Sequence, residues 1–262
     1  MIQETDFAGR QLVGARESQE DDYCFCPLTA EDDGVEGLLL VLADGMGGHA
    51  GGSLASRLVV ESFVDEFCSV RGDISNRLKT SLEASEHRIR EEIVRRKGLF
   101  SEMGSTIVAV VWTAGRLHWL SVGDSGLYLY RNRQVSRLNE DHSMAPVLEE
   151  RVARGEITRK QAAEDPERNM LRSAISADAR GPYDLRQLPF ELRAGDVVLA
   201  ASDGLETLDA TALSAELEHN AGQSAEEIVV ALLAAVSEVN HPKQDNVTVA
   251  VIRNPVTSSQ LT

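Results

Sequence analysis

The 262-residue chain contains few cysteines and no long hydrophobic run. Its three cysteines, at positions 24, 26 and 68, are too few and odd in number for a disulfide framework, and no histidine cluster completes a zinc pattern with them. The longest uninterrupted apolar stretch, Ile228–Val236, is far shorter than the roughly 20 residues that a membrane-spanning helix needs. These absences argue against a disulfide-rich scaffold, a zinc module and a membrane-spanning helix.

Basic residues are also scarce, with 26 Lys and Arg against 42 Asp and Glu and a formal net charge of −16. Nucleic acids and anionic membrane surfaces attract proteins through basic patches, so we expect neither as a partner. The first six residues lack the basic and apolar regions of a signal peptide. We therefore expect a cytoplasmic protein.

Four aspartates, by contrast, stand where predicted strands end or begin, and each is followed by a small or polar residue. Asp44, Asp124 and Asp203 close apolar runs, whereas Asp245 opens one. In an antiparallel sheet, the end of one strand and the start of its neighbour lie at the same edge. The sequence thus predicts four carboxylates gathered at one edge of a sheet.

Carboxylates gathered in this way raise each other's pKa unless a cation neutralises them. Oxygen ligands suit hard divalent ions such as Mg²⁺ and Mn²⁺. Asp-Gly and Asp-Ser pairs are also common in turns, because Asp bonds its own backbone and Gly supplies positive φ. A turn explains any single pair at least as well as a metal does, but four pairs beside strands favour a metal-dependent hydrolase.

The hydrophobic periodicity predicts an α+β protein. Strands are predicted over residues 11–15, 22–26, 37–43, 105–113, 116–122, 126–131, 184–192, 197–201 and 246–253, several of them joined by hairpin signals. Helices are predicted over residues 52–70, 74–97, 212–219 and 225–240, and the last one opens with a capping box from Ser224 to Glu227. Hairpin-linked strands favour antiparallel sheets, and amphipathic helices need a sheet face to cover. We therefore predict two packed antiparallel sheets with helices on the outside.

The stretch from residue 143 to residue 180 interrupts this pattern, because it is polar, charged and only partly helical. A connection of this length is typical of a functional flap. We place one domain over residues 1–253, with the flap at residues 143–180 inside it. Residues 254–262 are rich in Ser and Thr, and we expect them to form a disordered tail.

A glycine-rich loop follows Asp44, with five glycines among residues 45–52. This density lets backbone carbonyls and amides approach a ligand closely. A G-x-G-x-x-A spacing from Gly45, with Asp65 about twenty residues later, also matches a loose dinucleotide-binding fingerprint. In that fold the acidic residue ends a second parallel strand, whereas Asp65 lies in a helical pattern, and Asp44 would repel a pyrophosphate. The metal site is therefore the favoured interpretation.

The segment from Arg16 to Asp22 places one arginine beside several carboxylates, among them Glu20 and Asp21. On its own, this segment would be interpreted as a solvated acidic turn. Beside a metal site, the guanidinium can hold a phosphate through two hydrogen bonds, and the carboxylates can position metals or their water. Arg16 is therefore a candidate phosphate ligand.

Seven motifs follow one another between residues 16 and 246 and cover nearly the whole chain. They are Arg16 with Glu20-Asp21, Asp44-Gly45-Met46-Gly47-Gly48-His49, Gly104-Ser105-Thr106, Val122-Gly123-Asp124-Ser125, Asp141-His142-Ser143, Ser202-Asp203-Gly204 and Asp245-Asn246. In this order they resemble the metal-dependent (PPM, or type 2C) serine/threonine protein phosphatases in their bacterial form. An Asp-Gly pair alone is a weak signal, whereas the glycine loop and the ordered set are specific.

The resemblance implies a four-layer α-β-β-α sandwich, in which two antiparallel sheets are flanked by helix pairs. It also implies a binuclear centre of Mn²⁺ or Mg²⁺. The inner ligands, with the bridging residue first, would be Asp44, the Gly45 carbonyl, Asp203 and Asp245. Asp124 would help to hold a third, weaker ion, Arg16 would bind the phosphate, and residues 143–180 would form the flap beside the substrate groove.

The chain departs from the family's pattern at two positions. Gln19 stands where the family usually has Asn, and its longer side chain argues against a direct role at the metals. Met46 stands where animal members place a histidine, as in other bacterial members. His49, three residues later, is expected to belong to the loop or to the start of the helix, which leaves protonation of the leaving seryl oxygen to water.

The resemblance implies hydrolysis of phosphoserine and phosphothreonine in proteins by a water bridged between two ions. No cysteine lies in a phosphate-cradling loop and no Ser/His/Asp order suggests a covalent nucleophile, so we expect direct attack by water. We expect a monomer whose partner is a phosphorylated protein, the substrate of a cognate Ser/Thr kinase. Two alternatives remain open: a phosphatase for small phosphoesters, and a non-catalytic regulator of the same fold.

Overall fold

The computed structural model describes residues 1, 3–48, 50–98, 100–178 and 181–254, with the backbone alone at residues 32 and 33. The strands in this part of the chain are β1 (Phe7–Leu12), β2 (Asp21–Leu28), β3 (Gly37–Met46), β4 (Gly104–Ser105), β5 (Ile107–Thr113), β6 (Arg116–Val122), β7 (Gly126–Arg131), β8 (Gln134–Arg137), β9 (Asp184–Leu185), β10 (Phe190–Glu191), β11 (Val197–Ala201) and β12 (Val247–Arg253). The helices are α1 (Ala30–Asp33), α2 (Ala50–Ser69), α3 (Ile74–Arg95), α4 (Ala145–Ala153), α5 (Arg159–Ala163), α6 (Ala210–Asn220) and α7 (Ala225–Val239). His49 and the predicted tail beyond residue 254 lie outside the described residues.

The strands form two sheets in which every paired strand is antiparallel to its neighbour. One sheet has the order β1-β12-β11-β7-β8. The other has the order β10-β6-β5-β3-β2, with β4 paired to β3 and β9 paired to β6. The prediction of two antiparallel sheets is therefore confirmed.

Strand β3 shows why this sequence folds into four layers. Successive side chains of a strand point to opposite faces of the sheet. On one face, Leu39 and Val41 pack with residues of α2 and α3. On the other face, Leu38 and Leu40 pack against residues of the five-stranded sheet. That second sheet buries its outer face under α6 and α7, which gives the predicted α-β-β-α order.

Strand β1 is the main error in the predicted strand positions. A strand was predicted over residues 11–15, but β1 covers Phe7–Leu12 because it pairs with β12 along its whole length. The chain then turns at Gly14, which has a φ of +68°. A Cβ on this residue would lie 2.3 Å from the Asp245 carbonyl oxygen, so only glycine allows this approach.

The other elements follow the sequence more closely. The strands predicted over residues 116–122, 126–131 and 197–201 have the bounds of β6, β7 and β11. The strand predicted over 184–192 is instead two short pairings with β6, and β8 was not predicted. The capping box of α7 is confirmed, because the Ser224 side chain accepts the Glu227 amide and the Glu227 side chain accepts the Ser224 amide. Asp65 lies inside α2, as the argument against a dinucleotide site requires.

The predicted flap begins after β8 and contains α4 and α5. It is closed at its base by two backbone hydrogen bonds, from the Arg172 amide to the His142 carbonyl (2.7 Å) and from the Met144 amide to the Met170 carbonyl (2.9 Å). The flap and domain limits remain predictions. Within the described part of the chain, no helix combines the length and the apolar character needed to cross a bilayer.

Candidate metal centre

The four aspartates come together at one edge of the sandwich, where they line a cavity of about 390 Å³. Asp44 lies in β3, and Asp124 lies in the turn between β6 and β7. Asp203 begins a short 3-10 helix, Asp203–Thr207, after β11, and Asp245 lies two residues before β12. The cavity thus receives carboxylates from both sheets.

The sequence predicts a strand that ends just before Asp44, and this prediction is wrong. Strand β3 continues to Met46 because Gly45 and Met46 pair with Ser105 and Gly104 of β4. These pairings hold the Gly45 end of the strand in an extended conformation. Asp44 therefore projects from a fixed strand rather than from a turn.

The motif Gly104-Ser105-Thr106 holds the backbone of Asp44 in place. The Thr106 hydroxyl accepts the Asp44 amide at 3.0 Å, and the Thr106 amide donates to the Asp44 carbonyl at 2.8 Å. The Ser105 hydroxyl donates to the same carbonyl at 2.9 Å. Sequence reasoning had given this motif no role, and the structure makes it the support of Asp44.

Asp21 lies beside Asp44, as its pairing partner on β2, and does not line the cavity. It is 6% exposed, and its Oδ2 atom accepts hydrogen bonds from the Ser202 and Thr248 hydroxyls, both at 2.7 Å. Ser202 directly precedes Asp203, and Thr248 lies on β12. Asp21 therefore joins the two sheets just below the site.

At the last residue of the glycine loop, Gly52, the surrounding atoms leave no room for a side chain. A Cβ on Gly52 would lie 2.1 Å from Glu20 Oε2 and 2.8 Å from the Gly45 carbonyl oxygen. The Gly45 amide also donates to the Glu20 carbonyl at 3.1 Å. Glycine at position 52 thus lets the start of α2 approach both Glu20 and Gly45, which line the cavity.

The carboxylates strongly perturb one another. Burial, followed by the charges of Asp21, Asp203, Asp124 and Asp245, raises the pKa of Asp44 well above its ordinary value. Burial, together with Asp124 and Asp245, raises the pKa of Asp203 to about 7. Burial is also the main reason why the pKa of Asp124 and the pKa of Asp21 rise to about 6. Such a site holds more negative charge than its surroundings neutralise.

This donor set fits a hard divalent cation. It offers carboxylate oxygens and the Gly45 carbonyl, and Met46 is the only sulfur-bearing residue among the described residues that line the cavity. As the described side chains stand, no three His, Cys, Asp or Glu residues are grouped closely enough to hold an ion between them. Repulsion between like charges favours such spacing, and a cation would draw the carboxylates together.

Arg16 lies at the rim of the cavity and forms an ion pair with Asp245. Its Nη2 atom is 2.5 Å from Asp245 Oδ2, and the arginine side chain is 53% exposed. An exposed guanidinium can exchange partners at little cost. Arg16 is therefore placed where it can reach an anion bound above the carboxylates.

Asp124 stands beside the start of the flap. Arg137 Nη2 donates to the Asp124 carbonyl at 2.6 Å, and Arg137 Nη1 lies 3.3 Å from Asp141 Oδ2. The amide of His142 donates to the carbonyl of Gly123 at 3.1 Å. The turn that carries Asp124 is thus bonded to the segment that leads into the flap.

Sequence reasoning missed several residues of the cavity wall. Asn169 and Leu171 reach the cavity from the flap, and Thr106 and Asn246 line it from the sheets. Nothing in the pattern of the flap singled out its two residues, whereas Asn246 follows a predicted ligand directly. Gln19 lies outside the lining and accepts the Asp21 amide at 3.0 Å.

Similarity to known proteins agrees with this geometry. The sequence model of the family Protein phosphatase 2C matches residues 14–247. The serine/threonine phosphatase stp of Listeria monocytogenes serotype 4b (strain F2365) is 29% identical over 227 residues, which cover 84% of this chain and 85% of that protein. The serine/threonine protein phosphatase PstP of Mycobacterium tuberculosis (strain CDC 1551 / Oshkosh) is 32% identical over 216 residues, which cover 81% of this chain and 40% of that protein.

A solved structure extends the likeness to three dimensions. The crystal structure of the catalytic domain of PstP, in complex with two manganese ions, superposes with a TM-score of 0.75 at 27% identity. The match covers 95% of this chain and 98% of that one. The fold of two antiparallel sheets with flanking helices is therefore shared with a manganese-binding phosphatase domain.

Proposed function

The chain belongs to the protein phosphatase 2C family and is a serine/threonine phosphatase, and we propose that it hydrolyses phosphoserine and phosphothreonine in proteins with two Mn²⁺ or Mg²⁺ ions. The observation that carries this proposal is the carboxylate cluster. Four aspartates from separate segments line one cavity, and burial, together with the charges of neighbouring carboxylates, raises the pKa of Asp44 and of Asp203. Such a cluster is stabilised by cations.

Asp44, the Gly45 carbonyl, Asp203 and Asp245 would hold the two tightly bound ions. Asp124 would hold a third, weaker ion, since its turn lies nearer the flap. Glu20 would position the ions from the cavity wall, and Asp21 would act indirectly, through its place beside Asp44. When bound, two such ions would supply positive charge at the phosphate and lower the pKa of the attacking water.

Arg16 would hold the phosphate of the substrate. A guanidinium binds phosphate oxygens in pairs, and its charge would offset the charge that develops on those oxygens during hydrolysis. Its present partner is Asp245, so cation binding at Asp245 and phosphate binding at Arg16 would replace one ion pair with two better-matched ones.

Attack by water on phosphorus would be direct. Among the described residues that line the cavity, none is a cysteine, histidine, serine or lysine. The Thr106 hydroxyl is bonded to the Asp44 amide and to Ser125, and the aspartates would be occupied by the cations. The leaving seryl or threonyl oxygen would take its proton from water. A cognate Ser/Thr kinase would supply the phosphorylated protein, and the phosphatase would act as a monomer.

Activity assays with matched substrates test this proposal. We expect the purified chain to hydrolyse a phosphothreonine peptide and p-nitrophenyl phosphate with added Mn²⁺, and to lose both activities in excess chelator. Asp44→Asn should abolish turnover while circular dichroism shows an intact fold. Undiminished hydrolysis in excess chelator would overturn the proposed metal centre.

The same assay separates the two alternative functions. A nucleotide or sugar phosphate hydrolysed much faster than the phosphopeptide would indicate a small-molecule phosphoesterase. Manganese binding by calorimetry without turnover on any of these substrates would indicate a non-catalytic regulator.

A further inference from the structure

Residues 13–20 connect β1 to β2 and carry Arg16; we call them the arginine loop. Within this segment, neither helix nor strand geometry is present. Arg16 itself is largely exposed, so its position depends on the backbone that carries it. The contacts of that backbone therefore decide where the guanidinium can reach.

Asn246 bonds to the arginine loop at three places. Its Nδ2 atom donates to the carbonyl of Val13 at 2.8 Å and to the carbonyl of Ser18 at 3.0 Å. Its Oδ1 atom accepts the amide of Glu20 at 2.8 Å. The carboxamide thus uses both of its N–H groups and its oxygen on the two ends of one loop.

The Asn246 side chain is well placed to restrain this loop, because the residue is only 4% exposed. Buried hydrogen bonds of this kind are costly to leave unmade. The backbone beside it adds two further contacts. The Ala15 amide donates to the Gln244 carbonyl at 2.8 Å, and Gly14 approaches the Asp245 carbonyl where a Cβ would meet it at 2.3 Å.

We propose that Asn246 is a positioning residue that fixes the arginine loop against the segment carrying Asp245, so that Arg16 faces the phosphate. This inference rests on the proposed function, because the phosphate-binding role of Arg16 belongs to that proposal. Asn246 also lines the cavity, but it acts through Arg16, because its carboxamide is engaged with the backbone of the arginine loop. Its backbone amide donates to Asp245 Oδ1 at 2.8 Å, and substitution of the side chain leaves that bond possible.

A double-mutant cycle between Asn246 and Arg16 tests the inference. Arg16→Ala should lower kcat/KM by roughly tenfold to 150-fold, because a bond to a charged group is lost. Asn246→Ala in the wild-type background should lower kcat/KM by at least about fivefold. In the Arg16→Ala background, the same change should lower it by less than about twofold, since its effect passes through the missing arginine. Equal effects in both backgrounds would overturn the inference.

Two measurements that do not depend on turnover support the same test. Hydrogen exchange should show faster exchange of the Glu20 amide in Asn246→Ala, because its acceptor is gone. Calorimetry with Mn²⁺ should still count two tight ions in this variant. An unchanged Glu20 exchange rate, or loss of the tight ions, would each contradict a role confined to the arginine loop.

A second variant, Gly14→Ala, changes the arginine loop itself rather than the side chain of Asn246. Gly14→Ala should disturb the contact with Asp245, and it should reproduce the kinetic loss and its dependence on Arg16. It keeps the inference testable if Asn246→Ala does not fold. A Gly14→Ala enzyme with wild-type kcat/KM would count against the proposed coupling.

A control variant separates positioning from general instability. Val229 of α7 is fully buried in the hydrophobic cluster against the five-stranded sheet, and that cluster includes no residue of the arginine loop. Val229→Ala should lower the unfolding temperature but leave kcat/KM unchanged at a temperature where the protein stays folded. An inactive wild-type protein would refute the proposed function, whereas an active one with additive Asn246 and Arg16 effects would refute only this inference.

Discussion

At the scale of single residues, the site is defined by carboxylates that oppose one another. Burial and the charges of Asp124 and Asp245 raise the pKa of Asp203 from 3.8 to about 7. A carboxylic acid whose pKa is higher in the folded state than in the unfolded state stabilises the fold at low pH. This contribution is complete below about pH 4 and is lost as the pH rises through 7.

Asp203→Asn should therefore stabilise the metal-free protein at pH 8. The amide removes a charge that the fold disfavours, and the gain in the free energy of unfolding should be on the order of 1–4 kcal/mol. The gain should shrink toward zero near pH 4. Denaturant unfolding at several pH values, in the presence of chelator, measures it.

Added Mn²⁺ should reverse this order at pH 8, because the ion stabilises wild type more than the variant. Glu238→Gln, which changes an exposed carboxylate on α7, is a suitable control and should show little dependence on pH. A metal-free Asp203→Asn protein that is no more stable than wild type at pH 8 would show that the cluster is not electrostatically strained.

At the scale of the elements, the β6–β7 turn is joined to the flap. Gly123 accepts the His142 amide and donates to the Ser173 hydroxyl, and Arg137 bonds to the Asp124 carbonyl. His142, just before the flap, and Ser173, within it, therefore both contact the turn that carries Asp124. A change of charge in this turn reaches the flap through these bonds.

Asp124→Ala should leave two tight ions per chain, while turnover falls and the Mn²⁺ concentration needed for half-maximal activity rises. We expect this result because Asp124 lies beside the flap rather than on β3 or next to β12. Calorimetry counts the ions. Ser173→Ala, which loosens the flap without removing a carboxylate, should lower turnover with an unchanged metal requirement. Disappearance of the two tight sites in Asp124→Ala would place it among the inner ligands.

The strands also show where a sequence pattern is sufficient to predict the bounds of an element. Strand β11 is a continuous apolar run buried on both faces, so its bounds follow from the sequence. Strand β1 does not, since Gly9 and Arg10 interrupt its apolar residues and only its pairing with β12 defines it. Strand β8 has four residues and a weak pattern, and it is held by the hairpin with β7.

The candidate site was also predicted only in part: its carboxylates were identified from the sequence, but the residues that support them were not. Asp44, Asp124, Asp203 and Asp245 were identified from their places beside apolar runs, and the structure brings all four to one cavity. The supports of these residues were not identified. Ser202, Thr248 and Asn246 act on segments distant in the sequence, and hydrogen bonds between such segments leave no local pattern.

At the scale of the whole molecule, the cavity receives carboxylates from both halves of the sandwich. Asp44 belongs to the seven-stranded sheet, whereas Asp203 and Asp245 adjoin strands of the five-stranded sheet. The two sheets also share one apolar layer between them. An ion bound by these residues would therefore stabilise the two sheets as one unit.

Mn²⁺ should accordingly raise the melting temperature of the entire fold in a single transition. An ion at a hundred times its Kd adds about 2.7 kcal/mol, which corresponds to roughly 5–10 °C for a protein of this size. Differential scanning calorimetry measures the shift, and Asp44→Asn should lose most of it. Two separate transitions, only one of which moves with Mn²⁺, would show that the sheets unfold independently.

The pairing of β1 with β12 has a consequence for the order of events during protein synthesis. Strands β2, β3, β5 and β6 and helices α2 and α3 all precede residue 123, so a growing chain can form this half early. The five-stranded sheet has β12 between β1 and β11, and it cannot be completed until residue 253 has left the ribosome. Asp245 and Asn246 emerge just before β12. The candidate metal centre is thus completed only after Asp245 and β12 have been synthesised, and a nascent chain carries its arginine loop long before the segment that holds it.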